Sequence, residues 1–292
     1  MKKLFSLLLV LAISLYVHSQ QLPAKWEELT ASDFPLAVEN AQRVCIVPMG
    51  VLEKHGPHLP LGTDVYRASE MCRRAAEKEY CVVFPDYYVG QIFEAQHQPG
   101  TLSYSAELIY KMLDETCREI ARNGMKKIIL VNTHGGNNAF LQYFCQTQMA
   151  TPRDYMVYVY QPQEDDETKE KIAKMRISPL GGHADEVESG EVLAIRPDIV
   201  KIDRAPSESG EDMNRLGLKN VFTGIWWYAK FPNHYSGDAA HAVAELGEVR
   251  LDFRSSQLAE VIKAVKADQK TILLQNEFYK ESASPLDTKA KR

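Results

Sequence analysis

A chain of 292 residues, 45% hydrophobic and 25% charged, has the composition of an ordinary soluble protein and the length for one large α/β domain or two modest ones. Its 34 basic and 39 acidic side chains give a formal charge of −5, about −7 once Lys2 and Lys3 leave with a leader, which argues against general affinity for nucleic acid or anionic lipid. Five cysteines, odd in number, widely spaced and mostly in apolar stretches, do not make a disulfide framework and read as small core residues.

The first element is that leader. Met1-Lys2-Lys3 is a basic start, Leu4 to Val17 is an apolar run too short to span a bilayer comfortably, and Val17-His18-Ser19 puts small residues at the −3 and −1 positions before Gln20. Residues 1–19 therefore read as a signal peptide. No cysteine follows to carry a lipid anchor, so the mature protein is expected to be exported, periplasmic or secreted, and soluble. Val44–Met49 is the first apolar run that suits a buried strand. The segment Glu53-Lys54-His55-Gly56-Pro57-His58-Leu59-Pro60-Leu61-Gly62-Thr63-Asp64 follows closely. Carboxylate oxygens beside imidazole nitrogens, with no thiol among them, are the ligand set of a catalytic Zn²⁺, Mn²⁺ or Fe²⁺ site. Glu53 and His55 are two apart, so in extended backbone both point to one side. The glycines and prolines hold the loop in one shape.

Apolar residues at helical spacing predict a helix over Tyr66 to Lys78, then a strand over Cys81–Pro85. Leu108, Met112, Leu113, Thr116, Ile120 and Ala121 predict a second helix within Ser103 to Asn123, with Ser103 or Ser105 as N-cap and Asn123-Gly124 as its stop. A strand over Lys127–Asn132 runs straight into His134-Gly135-Gly136-Asn137-Asn138. His134 sits at the strand's C-terminal tip and makes a coherent open metal site with Glu53, His55 and Asp64. Gly135 and Gly136 let backbone approach a ligand, and their N–H groups could stabilise an oxyanion. Asn137 and Asn138 read as caps of the next helix. Tyr155–Tyr160 is a fourth strand, and Gln161 to Lys174 a charged surface segment. In Gly181 to Gly190, His183 precedes a helix start and acidic residues follow it, a setting for a proton donor, a ligand or a residue that supports one. That helix spans Asp185 to Ala194. Trp226, Trp227, Tyr228 and Tyr235 read either as a pocket wall or as core packing. Leu246 to Tyr279 reads as a long amphipathic helix or pair, and residues 276–292 as a frayed tail. The alternation of strands and helices argues for one α/β domain over residues 20–275, a mostly parallel sheet covered on both faces, with its active site at strand C-termini.

Five ordered segments carry a resemblance: Met49 to Asp64, Pro99-Gly100-Thr101, Asn132 to Asn137, Gly181 to Ala184 with Glu188, and Gly237-Asp238 with Ala242 and Ala244-Glu245-Leu246-Gly247. Together, from about Trp26 to about Gly247, they resemble the creatininase (creatinine amidohydrolase) family. The resemblance implies a layered α/β/α sandwich with a metal centre. It makes Glu53, His55, Asp64 and His134 the ligands of one or two divalent ions (Zn²⁺, Mn²⁺ or Fe²⁺), with Asp64 bridging. His183 would act near the leaving group and Glu188 would be a site carboxylate. The implied activity is amide hydrolysis, a metal-bound hydroxide attacking the carbonyl of a small, cyclic amide, in a homo-oligomer that is commonly a hexamer.

The chain departs from the pattern at three places. Gly136 stands where creatininase has a glutamate completing its second metal site, which leaves Glu188 or Glu94 to supply a carboxylate. Ala95 replaces a family histidine, and Ala184-Asp185 replaces Ala-Gly, adding a carboxylate near the substrate. Creatinine itself is therefore disfavoured. Two other readings stand beside amide hydrolysis: ring opening of a keto-sugar or keto-cyclitol by C–C cleavage, and a metal-dependent binding protein without turnover.

Overall fold

Val44–Met49 (β1) is apolar throughout and Lys127–Asn132 (β3) has the apolar centre Ile128 to Val131, and each forms a strand over the bounds the sequence predicts. They pair in parallel along their whole length, from Val44 opposite Lys127 to Met49 opposite Asn132. The computed structural model describes residues 22–291, so the leader expected over residues 1–19 lies outside the described residues. Val82–Val83 (β2) and Met156–Val159 (β4) complete a four-stranded parallel sheet of order β2-β1-β3-β4. β2 is shorter than the predicted Cys81–Pro85: Phe84 still donates to Ile46 O, but Pro85 has no N–H to continue the ladder.

Alternation along the strands sorts the core into two layers. Cys45, Val47, Met49, Ile128 and Leu130 face Phe34–Asn40 (α1), Ala106–Arg122 (α3) and Asn137–Thr147 (α4). Val44, Ile46, Ile129 and Val131 face Thr63–Lys78 (α2) and Ala244–Ala267 (α8). Helices thus cover both faces of the sheet. In α3 the buried Ile109, Leu113, Cys117 and Ile120 recur every three or four residues, and Ser105 rather than Ser103 is the N-cap, accepting from the Leu108 N–H. The segment read as merely charged contains Asp166–Met175 (α5), started by Asp165 accepting from the Thr168 N–H. Glu186–Ile195 (α6) starts and ends one residue later than the predicted Asp185 to Ala194, with Asp185 as its N-cap. Trp226–Lys230 forms the short α7, and the C-terminal tail is a pair, α8 and Lys270–Ser282 (α9), which extends into the stretch read as frayed. Among the described residues no helix is long and apolar enough to cross a membrane. All five cysteines are free thiols, four of them buried and Cys145 partly so.

α6 lies flush against α8 through paired glycines. A Cβ on Gly190 would stand 2.7 Å from Val243 O and 2.8 Å from Gly247 N. Neither backbone can yield without moving a helix, so Gly190→Ala is expected to cost about 1–3 kcal/mol, read as a lower thermal midpoint. An unchanged midpoint would mean that the two helices are not packed this closely.

Candidate metal centre

Because β1 and β3 are parallel neighbours, Met49 and Asn132 end side by side, and the loops that leave them meet. Thr133 ties the loops together: its N–H donates to Met49 O at 3.1 Å and its hydroxyl to Asp64 O at 2.8 Å. The Glu53 N–H donates to Leu61 O at 3.1 Å and closes the first loop on itself. Asp64 then enters on the first turn of α2. Glu53, His55, Asp64 and His134 are all buried.

Among the described residues three overlapping sets bring ligand atoms within 4.8 Å of one another: Glu53, Asp64 and His134; His55, Asp64 and Glu188; Glu53, His55 and His183. Each histidine is held from behind by a carbonyl. His134 Nε2 lies 2.9 Å from Gln91 O, His55 Nδ1 lies 3.3 Å from Glu53 O, and His183 Nε2 lies 2.9 Å from Lys54 O. A carbonyl only accepts, so those nitrogens carry the protons and the opposite nitrogens face inward. His134 Nδ1 is 2.8 Å from Glu53 Oε1 and 3.3 Å from Asp64 Oδ2. His55 Nε2 is 3.3 Å from Asp64 Oδ1. Yet Glu53 Oε1, Asp64 Oδ2 and His55 Nε2 are buried without a hydrogen-bond partner.

Buried acceptors converging on buried acceptors are costly unless a cation stands between them. In its absence protons take that part. Burial would lower the imidazoles, but Asp64 and Glu53 push His55 up to about 9 and lift His134 well above its usual value. Glu53 moves the opposite way: burial would raise it, and His134, by charge and hydrogen bond, holds it well below the carboxylate range. Two carboxylates and two imidazoles without a thiol fit Zn²⁺, Mn²⁺ or Fe²⁺.

Two supporting groups were not read from the sequence. His234 Nδ1 accepts from the Trp227 indole N–H at 2.9 Å, and an indole can only donate, so His234 Nε2 carries the proton that it gives to Glu53 Oε2. That leaves Glu53 Oε1 aimed inward. His234 sits at φ 50°, in the left-handed region, which is uncommon for a side chain this large. His234→Ala is expected to weaken metal binding about 10–100-fold, measured by competition with a chromogenic chelator. An unaltered affinity would reduce His234 to packing. The second group is Arg67 on α2, whose Nη1 contacts Glu188 Oε1 and lies 3.4 Å from Asp64 Oδ1. Its Nε donates to Glu191, which Arg250 also holds.

Other expected residues take different places. Glu94 joins none of the three ligand sets: its Oε2 accepts from Gln91 Nε2 at 2.9 Å, and its Oε1 lies 2.8 Å from where a Cβ on Gly136 would stand. Glu188 comes beside His55 and Asp64 instead. Asp185 does not face the site, because its Oδ1 caps α6 on the Val187 and Glu188 N–H groups and its Oδ2 accepts from Gly182. His58 turns away to Ser189 Oγ at 2.7 Å. Asn137 and Asn138 knit the glycine loop to Gln91 and Asn132 rather than capping α4. A cavity of about 400 Å³ opens over the cluster, lined by His134, Gly135, Gly136, His183, Trp226 and Trp227. Tyr228 and Tyr235 are not on its wall.

A family model described as creatininase, creatinine amidohydrolase, matches residues 27–262. The chain is 28% identical over 193 residues to the creatinine amidohydrolase of Pseudomonas putida, covering 61% of this chain and 74% of the relative. It is 28% identical over 209 residues to the mycofactocin precursor peptide peptidase of Mycobacterium ulcerans (strain Agy99), covering 68% and 70%. To the 3-dehydro-scyllo-inosose hydrolase of Thermotoga maritima it is 28% identical over 163 residues, covering 53% and 51%. Among solved structures, a creatininase mutant of Zn–Zn type and a manganese creatininase share the fold, with TM-scores of 0.71 and 0.70 at 23% identity, each covering 85% of this chain and 100% of its own.

Proposed function

The chain belongs to the creatininase family of hydrolases, and from that premise we propose that it cleaves a C–N bond in a small, cyclic amide, with Glu53, His55, Asp64 and His134 holding a divalent cation. The observation that carries this reading is the convergence of buried, unpartnered Glu53 Oε1, Asp64 Oδ2 and His55 Nε2 on one another beside His134 Nδ1. Bound there, a divalent cation supplies a water of lowered pKa and a Lewis acid for the scissile carbonyl.

The chain's own residues supply the rest. His183 is neutral: burial and then His55 push it down to about 4, and with its Nε2 proton on Lys54 O it keeps Nδ1 as an acceptor. It takes a proton from the attacking water and returns it to the leaving nitrogen. Within the described residues neither the Gly135 nor the Gly136 N–H has a partner in the chain, and both line the cavity where an oxyanion would form. Trp226 and Trp227 offer flat faces to a ring, and a cavity of about 400 Å³ is at the small-molecule end of ligand sites. Gly136 and Ala95 disfavour creatinine. The leader read at residues 1–19 favours a scavenged nutrient as substrate, a point that the N-terminal mass of the mature protein tests.

One relative, the inosose hydrolase of Thermotoga maritima, favours ring opening of a keto-cyclitol as the second reading. The metal-reconstituted protein, given a panel of lactams, cyclic ureides and keto-cyclitols, separates the two. Amine and carboxylate appearing together from a cyclic amide supports C–N cleavage. Acid formed from a keto-cyclitol without amine, with every amide untouched, would sink it.

A further inference from the structure

Beside the second ligand set, His55, Asp64 and Glu188, stands a cation of the chain's own, Arg67. Both Glu188 oxygens are already engaged: Oε1 is held by the Arg67 guanidinium and Oε2 accepts from the Ala184 N–H. Arg67 Nη1 also lies 3.4 Å from Asp64 Oδ1, the same oxygen that faces His55 Nε2 at 3.3 Å. The unpartnered carboxylate atoms, Glu53 Oε1 and Asp64 Oδ2, both lie toward His134 instead.

We propose that Arg67 takes the place of a second metal ion, so that this centre holds one divalent cation, between Glu53, Asp64 and His134, with His55 beside it. The proposal rests on the reading above that the cluster binds metal. The geometry of the cluster supports it. The guanidinium bonds the two carboxylates, Asp64 and Glu188, that a second ion would have to bridge. It is anchored: Nε donates to Glu191 at 2.5 Å, Glu191 is gripped by Arg250 Nε at 2.8 Å and Nη2 at 2.6 Å, and Nη1 is 3.4 Å from Thr133 O. Swinging Arg67 away to admit an ion would leave Glu191 half-neutralised in a buried site, which is costly. The third set, Glu53, His55 and His183, brings only a carboxylate that the first set already uses.

This makes Arg67 a positioning residue, set by its place on Asp64's own helical face, three residues on. It holds Glu188 and Asp64 in place and fixes the number of ions.

The full mature chain, loaded with excess Zn²⁺ and desalted, is read by plasma mass spectrometry, and loaded with Mn²⁺ by electron paramagnetic resonance. One equivalent of zinc and the six-line spectrum of an isolated manganese are expected. Two equivalents, or an exchange-broadened manganese pair, overturn the proposal while leaving metal dependence intact. No metal at all overturns the metal-dependent reading and this proposal with it. Arg67→Met is expected to take up a second equivalent; a folded Arg67→Met that stays at one overturns the assignment. Should that variant not fold, Glu188→Gln decides. It is expected to keep one equivalent with affinity within tenfold of the parent, and loss of that equivalent would make Glu188 a ligand and the proposal wrong.

Discussion

Asp64→Asn is expected to empty the centre and lower kcat/KM at least about 10³-fold, about 4 kcal/mol of transition-state stabilisation. Asp64 has an oxygen on each side of the cluster: Oδ2 toward His134 Nδ1 at 3.3 Å, and Oδ1 between His55 Nε2 and Arg67. An amide has the same shape but no charge, and its NH₂ would present hydrogens to an imidazole, a guanidinium or a cation. The fold should survive, because the contact that fastens α2 to the β3 loop uses Asp64's backbone carbonyl, which accepts from the Thr133 hydroxyl. Metal content, melting midpoint and turnover are therefore expected to separate. A variant with metal and rate both intact would remove Asp64 from the site.

The second large effect falls on stability. Glu191 is buried between Arg67 and Arg250, and Glu191→Ala would strand two guanidiniums, at about 3–5 kcal/mol. For a chain of this size that is a drop of roughly 10 °C in thermal midpoint. The pH dependence has a definite sign. Burial would raise the Glu191 carboxyl, but Arg250 and Arg67 outweigh it and hold it at about 2. A carboxylate depressed by folding stabilises above its unfolded pKa of about 4.3, and loses that contribution as pH falls toward its folded value. The parent should keep this contribution at pH 5 and shed it between roughly pH 4 and pH 2. Glu191→Ala should show a shallower acid slope over that interval. An equal slope in urea titrations across pH would mean that Glu191 is not ionised in the folded protein.

Much of this was legible in the residues. The aliphatic runs over Val44–Met49 and Lys127–Asn132 have too many β-branched and long apolar residues in a row to sit anywhere but in a doubly covered parallel strand, and their bounds were readable to the residue. The segments that leave those strands were conspicuous for carboxylates and histidines between glycines and prolines, and they meet because the strands are neighbours. Three features escaped for different physical reasons. His234 lies in an irregular segment with no periodicity, and only the fold brings it to Glu53. Arg67 drew no assignment, because the helix read from Tyr66 leaves Asp64 outside it; α2 starts at Thr63, and only then does a spacing of three put both on one face. Glu94 and Glu188 were equal candidates for a missing carboxylate, since a sequence does not say which way a side chain beside Gly136 will turn.

The five thiols lead to a different consequence, in redox chemistry. Reaction with an oxidant or an alkylating reagent proceeds through the thiolate. Burial pushes Cys81 up to about 12 and Cys145 up to about 11, and raises Cys45, Cys72 and Cys117 as well. At neutral pH the folded chain therefore holds almost no thiolate, and the little it holds is mostly out of a reagent's reach. Burial thus keeps the thiols unreactive without pairing them in a disulfide. Cys45, fully buried within β1, becomes reactive only when the sheet opens, so its labelling rate reports that opening, whereas the partly buried Cys145 needs a smaller local motion.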